Sequence, residues 1–138
     1  MGMTGVAGKV SVARAVVDGF GTRDHERLLS LFAPDAQFRT RVDVIGEPHF
    51  TGHEGVRAWL ESVDEKYDLF EIVDAEYRSG VGDAVFVSCA LRLQFAGERY
   101  GMARQVYWVF RVDSGGRVCS FTSFRDLDEA LADSGLDP

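Results

Sequence analysis

Apolar residues change their spacing near Leu69, and the change divides the chain into a helical front and a strand-rich back. In the front, Val10, Ala13, Val17 and Phe20 recur at three- and four-residue steps, which predicts a helix with one buried stripe. Gly19 and Gly21 then weaken it and let the chain turn. A second, short helix is expected from a cap at Asp24, turning Leu28, Leu29 and Phe32 inward before Ala33-Pro34-Asp35 stops it. The two helices should form a hairpin. From Ala36 to Val42 the period is two, with Phe38, Thr40 and Val42 on one side and Gln37, Arg39 and Arg41 on the other, the pattern of a half-buried strand. The stretch from Asp43 to Phe50 reads as a loop. Thr51-Gly52-His53-Glu54 has capping-box spacing, and Val56, Trp59, Leu60, Val63 and Tyr67 then form one apolar stripe, which predicts a third helix.

Beyond Leu69, strands are expected near 70–78, 84–95, 100–112 and 117–125, separated by Ser79-Gly80-Val81-Gly82-Asp83, Ala96-Gly97-Glu98 and Asp113-Ser114-Gly115-Gly116. Connections this short join antiparallel neighbours, because a parallel crossover needs about a dozen residues. The four strands should therefore form a meander. A last helix, capped by Asp126 with Glu129 three residues on, should run to about Asp133 and end before Gly135.

Composition narrows the setting. The 138 residues suffice for one core, and 46% apolar with 27% charged residues is ordinary globular usage. A net charge of -7 with no basic block disfavours nucleic acid as a partner. Cys89 and Cys119 each sit in a strand-like apolar run, which favours buried thiols in a reducing compartment, with a disulfide as the lesser alternative. The N-terminus has no basic start and no long apolar core, and no run approaches the ~20 residues of a membrane span. A soluble cytoplasmic protein with no membrane association is the expectation.

The order helix, helix, strand, helix and four meandering strands, together with three stretches, carries a family resemblance. These are Asp24 to Phe38 (DHERLLSLFAPDAQF), the helix start TGHEGVRAWLE from Thr51, and the ending GGRVCSFTSFRDLDEALADSGL from Gly115. Over nearly its whole length the chain resembles the SnoaL-like, polyketide cyclase-related branch of the nuclear transport factor 2-like superfamily. The resemblance implies an α+β cone: a strongly curved, mostly antiparallel sheet, three helices of the N-terminal half closing a pocket, and a short C-terminal helix. It implies a single domain over 1–138, with 1–8 as a flexible lead-in, and a homodimer through the sheet face. Apolar content on both sides of the 84–95 strand, where Phe86 and Ala90 oppose Val85, Val87 and Leu91, points the same way.

Candidate chemistry is sparse. His25, His49 and His53 fall on caps or loops, Gly80-Val81-Gly82 lacks the rest of a phosphate-binding loop, and no nucleophile elbow occurs, so neither metal nor cofactor is expected. His53, in the first turn of the third helix, should be solvated. Arg104 stands out, because alternation places it with Met102, Val106, Trp108 and Phe110 on an otherwise apolar face. A charge there is costly unless it is paired or meets an anionic group. It either orients a carboxylate, enolate or carbonyl oxygen of a ligand, or forms an ion pair with Asp43, Glu47 or Asp126, or faces solvent or a partner.

The resemblance adds Asp43 and His49, which follow the first strand near the position of the catalytic aspartate of steroid isomerase relatives. There an Asp in an apolar pocket moves a proton beside a carbonyl and an acid stabilises the enolate. In this chain that position falls on Thr40 or Arg41 unless the loop lets Asp43 substitute, and the second acid position falls at Trp108 or a neighbour. Limonene epoxide hydrolase relatives need an Asp-Arg-Asp set, of which Arg104 is present while Val106 stands where an acid is wanted. Given a concave sheet, Phe20, Phe38, Trp59, Tyr67, Val106, Trp108 and Phe121 become candidate pocket lining suited to a flat apolar ligand of a few fused rings. Two function classes stay open: a cofactor-free isomerase, cyclase or hydrolase using Asp43 or His49 as base and Arg104 as oxyanion partner, and a non-catalytic ligand-binding or dimerisation module.

Overall fold

Period-two patterning in the back half resolves into four long strands, and the front half supplies the helices that cover them. The computed structural model describes residues 6–40 and 49–137. Helices α1 (Val6–Thr22) and α2 (His25–Leu31) lead into strand β1 (Phe32–Thr40), and β2 (His49–Thr51) leads into α3 (Gly52–Lys66). Strands β3 (Tyr67–Ser79), β4 (Ala84–Phe95), β5 (Gly101–Val112) and β6 (Val118–Phe124) follow, and α4 (Leu127–Ser134) ends the chain. They build one curved six-stranded sheet in the order β2-β1-β6-β5-β4-β3. The expected meander β3 to β6 is antiparallel throughout, while β1 runs parallel to β6 and carries β2 on its outer edge.

Several local expectations change. Helix α1 continues through Gly19 and Gly21, and Gly19 is there for packing: a Cβ on it would lie 2.7 Å from the Leu28 side chain of α2. Phe32 opens β1 instead of closing α2, and a register shift between Phe32 and Gln37 absorbs Ala33-Pro34-Asp35, where Pro34 cannot donate to a ladder. His49, Phe50 and Thr51, expected in a loop, pair with Arg39, Phe38 and Gln37. Thr51 does stand at the N-terminus of α3, but its side chain makes no capping bond. His53 is half-buried, not simply solvated: its Nε2 lies 2.8 Å from the Phe32 carbonyl oxygen and ties α3 to β1. Asp24 and Asp126 cap α2 and α4 as expected.

The core lies in the concavity. Val85, Val87, Cys89, Leu91 and Leu93 of β4 and Val106, Trp108 and Phe110 of β5 face α1 and α3. On the convex side α4 covers one end of the sheet, setting Ala130 and Leu131 against Phe86, Val109 and Phe124. Part of the apolar content that favoured a subunit interface is thus buried within the chain itself.

The β3–β4 turn is held from two sides. Buried Lys9 of α1 donates from Nζ to the carbonyl oxygens of Gly80, at 2.9 Å, and Gly82, at 2.7 Å. From α4, the Ser134 carbonyl accepts the Val81 amide at 2.8 Å. Arg111 adds bonds to Asp83 and to the Asp133 carbonyl. Lys9→Met keeps the stem but strips two carbonyls of a charged donor, and should cost about 2 kcal/mol, roughly 6–10 °C in Tm. Thermal unfolding followed by circular dichroism checks it, and an unchanged Tm would show that the turn does not depend on this lysine.

Candidate functional site

Where the helices do not fill the concave face, a small cavity of about 40 Å³ remains. Helix α3 contributes Trp59, Ser62, Val63 and Lys66, and β3 contributes Tyr67 and Phe70. The sheet supplies Leu91 and Leu93 from β4, Arg104 and Trp108 from β5, and Phe121 and Ser123 from β6. Strand register explains the grouping, since Arg104 pairs with Leu91, Met102 with Leu93, and Trp108 with Ser123. The volume holds a few waters, or one polar group of a few atoms, against the several hundred Å³ usual for a whole ligand.

The reason for the small volume is ring packing. Phe38 stacks on Phe121 at 4.4 Å and meets Trp59 at 4.8 Å, while Phe20 abuts Trp59, Trp108 and Phe121 at 5.4–6.0 Å. Of the aromatic candidates, Trp59, Tyr67, Trp108 and Phe121 line the cavity. Phe20, Phe38 and Val106 do not, because they are buried beneath it in the packed core. A ligand of several fused rings would have to displace α3 or the side chains it carries.

Arg104 lies in the cavity wall, half-buried, and among the described residues its guanidinium has no ion pair and no hydrogen bond. Of the ion-pair partners considered from sequence, Asp126 instead caps α4, while Asp43 and Glu47 lie outside the described residues. His49 is described only as the first residue of β2, opposite Arg39. Thr40 pairs with Ser123, a cavity residue, so the chain leaves β1 beside the site.

The two indoles in the wall differ. Trp108 donates from Nε1 to Ser123 Oγ at 3.1 Å, whereas Trp59 Nε1 is buried with no acceptor among the described residues. An unmet buried donor costs about 1–3 kcal/mol. Among the described residues the wall contains no Asp or Glu, and its charged groups are Lys66 and Arg104. Lys66, Ser62 and Phe70 were not singled out from sequence; Ser62 and Lys66 sit three and seven residues beyond Trp59, where helical spacing could have located them. Among the described residues no cluster of three or more His, Cys, Asp or Glu side chains could hold a metal ion, and no helix is long and apolar enough to cross a membrane.

Residues 13–121 match the SnoaL-like domain family, and the chain belongs to that family. No curated protein sequence matches it. In fold it is similar to a nuclear transport factor 2-like protein of unknown function from Burkholderia pseudomallei, at 20% identity over 91% of this chain and 95% of that one, with a TM-score of 0.75. A ketosteroid isomerase-like fold from Catenulispora acidiphila, in complex with trimethylamine, is 24% identical over 91% and 93%, with a TM-score of 0.70. A Mycobacterium tuberculosis protein in complex with an estradiol hemisuccinate is 17% identical over 88% and 95%, with a TM-score of 0.74. At these identities the likeness is one of fold.

The displaced titrations have a structural cause. Burial pushes the Cys89 thiol up to about 12, and burial, chiefly, does the same to the Tyr77 hydroxyl, beneath the Arg14 guanidinium 4.3 Å from its ring. Neither lines the cavity. Both groups are neutral when protonated and hold their protons more tightly folded than unfolded, so their contribution is complete below about pH 9 and is lost as pH rises towards 12. Tm should therefore fall progressively across that range, and Cys89→Ala should flatten the fall. A flat Tm profile to pH 12 would contradict this.

Proposed function

We propose that the protein binds a small molecule whose carboxylate, enolate or carbonyl oxygen meets Arg104, with the adjoining apolar part against Trp59, Trp108 and Phe121. The observation that carries this reading is the half-buried guanidinium without a partner on an apolar wall. Among the described residues nothing answers this charge, which leaves the guanidinium available to an external anion. The estradiol hemisuccinate held by the Mycobacterium neighbour, flat rings bearing a carboxylate, is a ligand of this kind.

In the catalytic form of the reading, a cofactor-free isomerase, cyclase or hydrolase, Asp43 or His49 is the base and Arg104 stabilises the developing oxyanion. Support comes from the register that sets Thr40, three residues before Asp43 in the sequence, beside the wall residue Ser123. Epoxide hydrolase-like chemistry has less support, since buried Val106 stands next to Arg104 on its face. The non-catalytic alternative, a binding or dimerisation module, is favoured by the 40 Å³ volume. A cytoplasmic homodimer joined through the part of the convex face that α4 leaves open completes the proposal.

Thermal shift against steroids, aromatic polyketides, epoxides and carboxylic acids should find stabilising compounds among the acids. Arg104→Met should abolish that stabilisation while leaving the unliganded Tm equal or higher, because an unpaired charge is replaced by an apolar stem. A drop in unliganded Tm, or undiminished stabilisation of the variant, would make Arg104 structural. Sedimentation equilibrium at micromolar concentration should give twice the chain mass; a monomer would remove the dimer.

A further inference from the structure

The end of the β4–β5 hairpin is unusually apolar for a solvent-facing turn. Phe95, Tyr100 and Met102 are 43%, 82% and 42% exposed, half of the exposed large apolar side chains among the described residues, and they line one open hollow of about 310 Å³. The backbone beneath them is pinned, so the hollow is a built feature. The Ala96 amide donates to the Lys66 carbonyl at 2.8 Å, the Gly97 amide to Asp68 Oδ2 at 3.1 Å, and Gln94 Nε2 to the Glu98 carbonyl at 2.6 Å. Gly97 supplies the φ of +80° at the turn. The hollow adjoins the cavity. Met102 pairs with Leu93 of the cavity wall and stands two residues from Arg104 on the same strand face, and the Phe95 ring packs against Tyr67 of the wall at 5.1 Å.

We infer that this hollow is the subsite for the apolar part of the ligand, and that the ligand is an elongated monocarboxylic acid. Its carboxylate meets Arg104, and its tail runs out of the cavity over Met102 to Phe95 and Tyr100. This deepens the reading that Arg104 receives an anion and rests on it. Volume divides the ligand. The 40 Å³ cavity takes a group of a few atoms, so an apolar part of any size has to lie outside it. Charge fixes the direction. The cavity wall carries Arg104 and Lys66 and, among the described residues, no acid, whereas the charged residue lining the hollow is Glu98. A carboxylate is drawn to the first and repelled by the second, and an uncharged tail is indifferent to both. Strand spacing sets the length: Met102 lies about 7 Å beyond Arg104 along β5, so a short acid ends before the hollow and a longer one reaches it. The unbranched Met102 side chain adapts to tails of differing shape. Three part-exposed side chains offer far less than the ~800 Å² that each partner buries in a stable protein interface, so a small molecule is the fitting occupant.

Calorimetric titration of the full-length protein with butanoate, hexanoate, octanoate and decanoate tests this. Affinity should rise along the series once the chain outruns the cavity, by up to about fourfold per methylene. The double variant Tyr100→Ser with Met102→Thr, which alters exposed side chains, should weaken octanoate about tenfold or more and leave butanoate within about twofold. A second readout needs only the wild type. The methyl signal of Met102, one of three methionines and identified by its loss in Met102→Leu, should move saturably with octanoate and stay in place with butanoate. Octylamine, with the same tail and the opposite charge, should not compete with octanoate. If all four acids bind alike, or the double variant keeps the dependence on chain length, this inference falls and the role of Arg104 stands. If octylamine binds as octanoate does, the acid-first direction falls with it. If the double variant turns a wild-type dimer into a monomer on sedimentation, the hollow is a subunit contact and the inference falls. If no acid binds at all, both readings fall.

Discussion

A bent sheet has to be filled, and the stacking of Phe38 on Phe121 is where the filling begins. The two rings lie across the junction of β1 with β6, the one parallel pairing among the described strands, and Phe20, Trp59, Trp108 and Phe110 close around them. Each ring withdraws on the order of 150–250 Å² from water. That burial holds α1 and α3 against the concave face, and it joins the front half of the chain to the meander. Every feature of the cavity is a remainder of this packing. Its position is the place the rings do not reach, and its volume is what their rotamers leave.

The remainder is chemically lopsided. Along the concave face of β5, Val106, Trp108 and Phe110 are sealed while Arg104 stands at the boundary with solvent. Its apolar stem can pack beside Leu91 and Leu93 while its head stays polar. No described acid answers it. An apolar side chain would fill the same place, so the charge of Arg104 belongs to the proposed binding role. The perturbed thiol and phenol belong to the other category: burial alone displaces Cys89, burial leads for Tyr77 under Arg14, and neither lines the cavity.

Much of the fold was legible because its signals are periodic. The change from helical to two-residue spacing located α3 and the four meander strands, and Asp24 and Asp126 announced α2 and α4 through side chains that cap locally. What escaped depends on contacts distant in sequence. Three-residue β2 is too short to carry a period, and it exists as a strand because Phe38 and its neighbours offer an edge. Gly19 reads as a helix breaker until Leu28 is seen against it. His53 gives no sign that the Phe32 carbonyl lies within reach. In the site, alternation was enough to single out Arg104, because a charge among apolar positions is visible in one dimension. The division of the aromatic set between wall and core was not visible, since period tells which face a ring is on but not how deep it sits. Cavity volume was beyond reach for the same reason, being set by ring orientations that no spacing encodes.

The parallel register of β1 with β6 bears on how the chain assembles. Hairpins in the β3–β6 meander close over a few residues, whereas bringing Phe38 beside Phe121 closes a loop of about 80 residues and forfeits correspondingly more chain entropy. Local contacts form first on that account, so the meander is the natural early scaffold and β1 a late addition to its edge. Trp59, Phe38 and Phe121 belong to the late contacts. The cavity is therefore among the last parts of the molecule to acquire its shape, and partial unfolding that frees β1 would dissolve it while leaving most of the sheet standing.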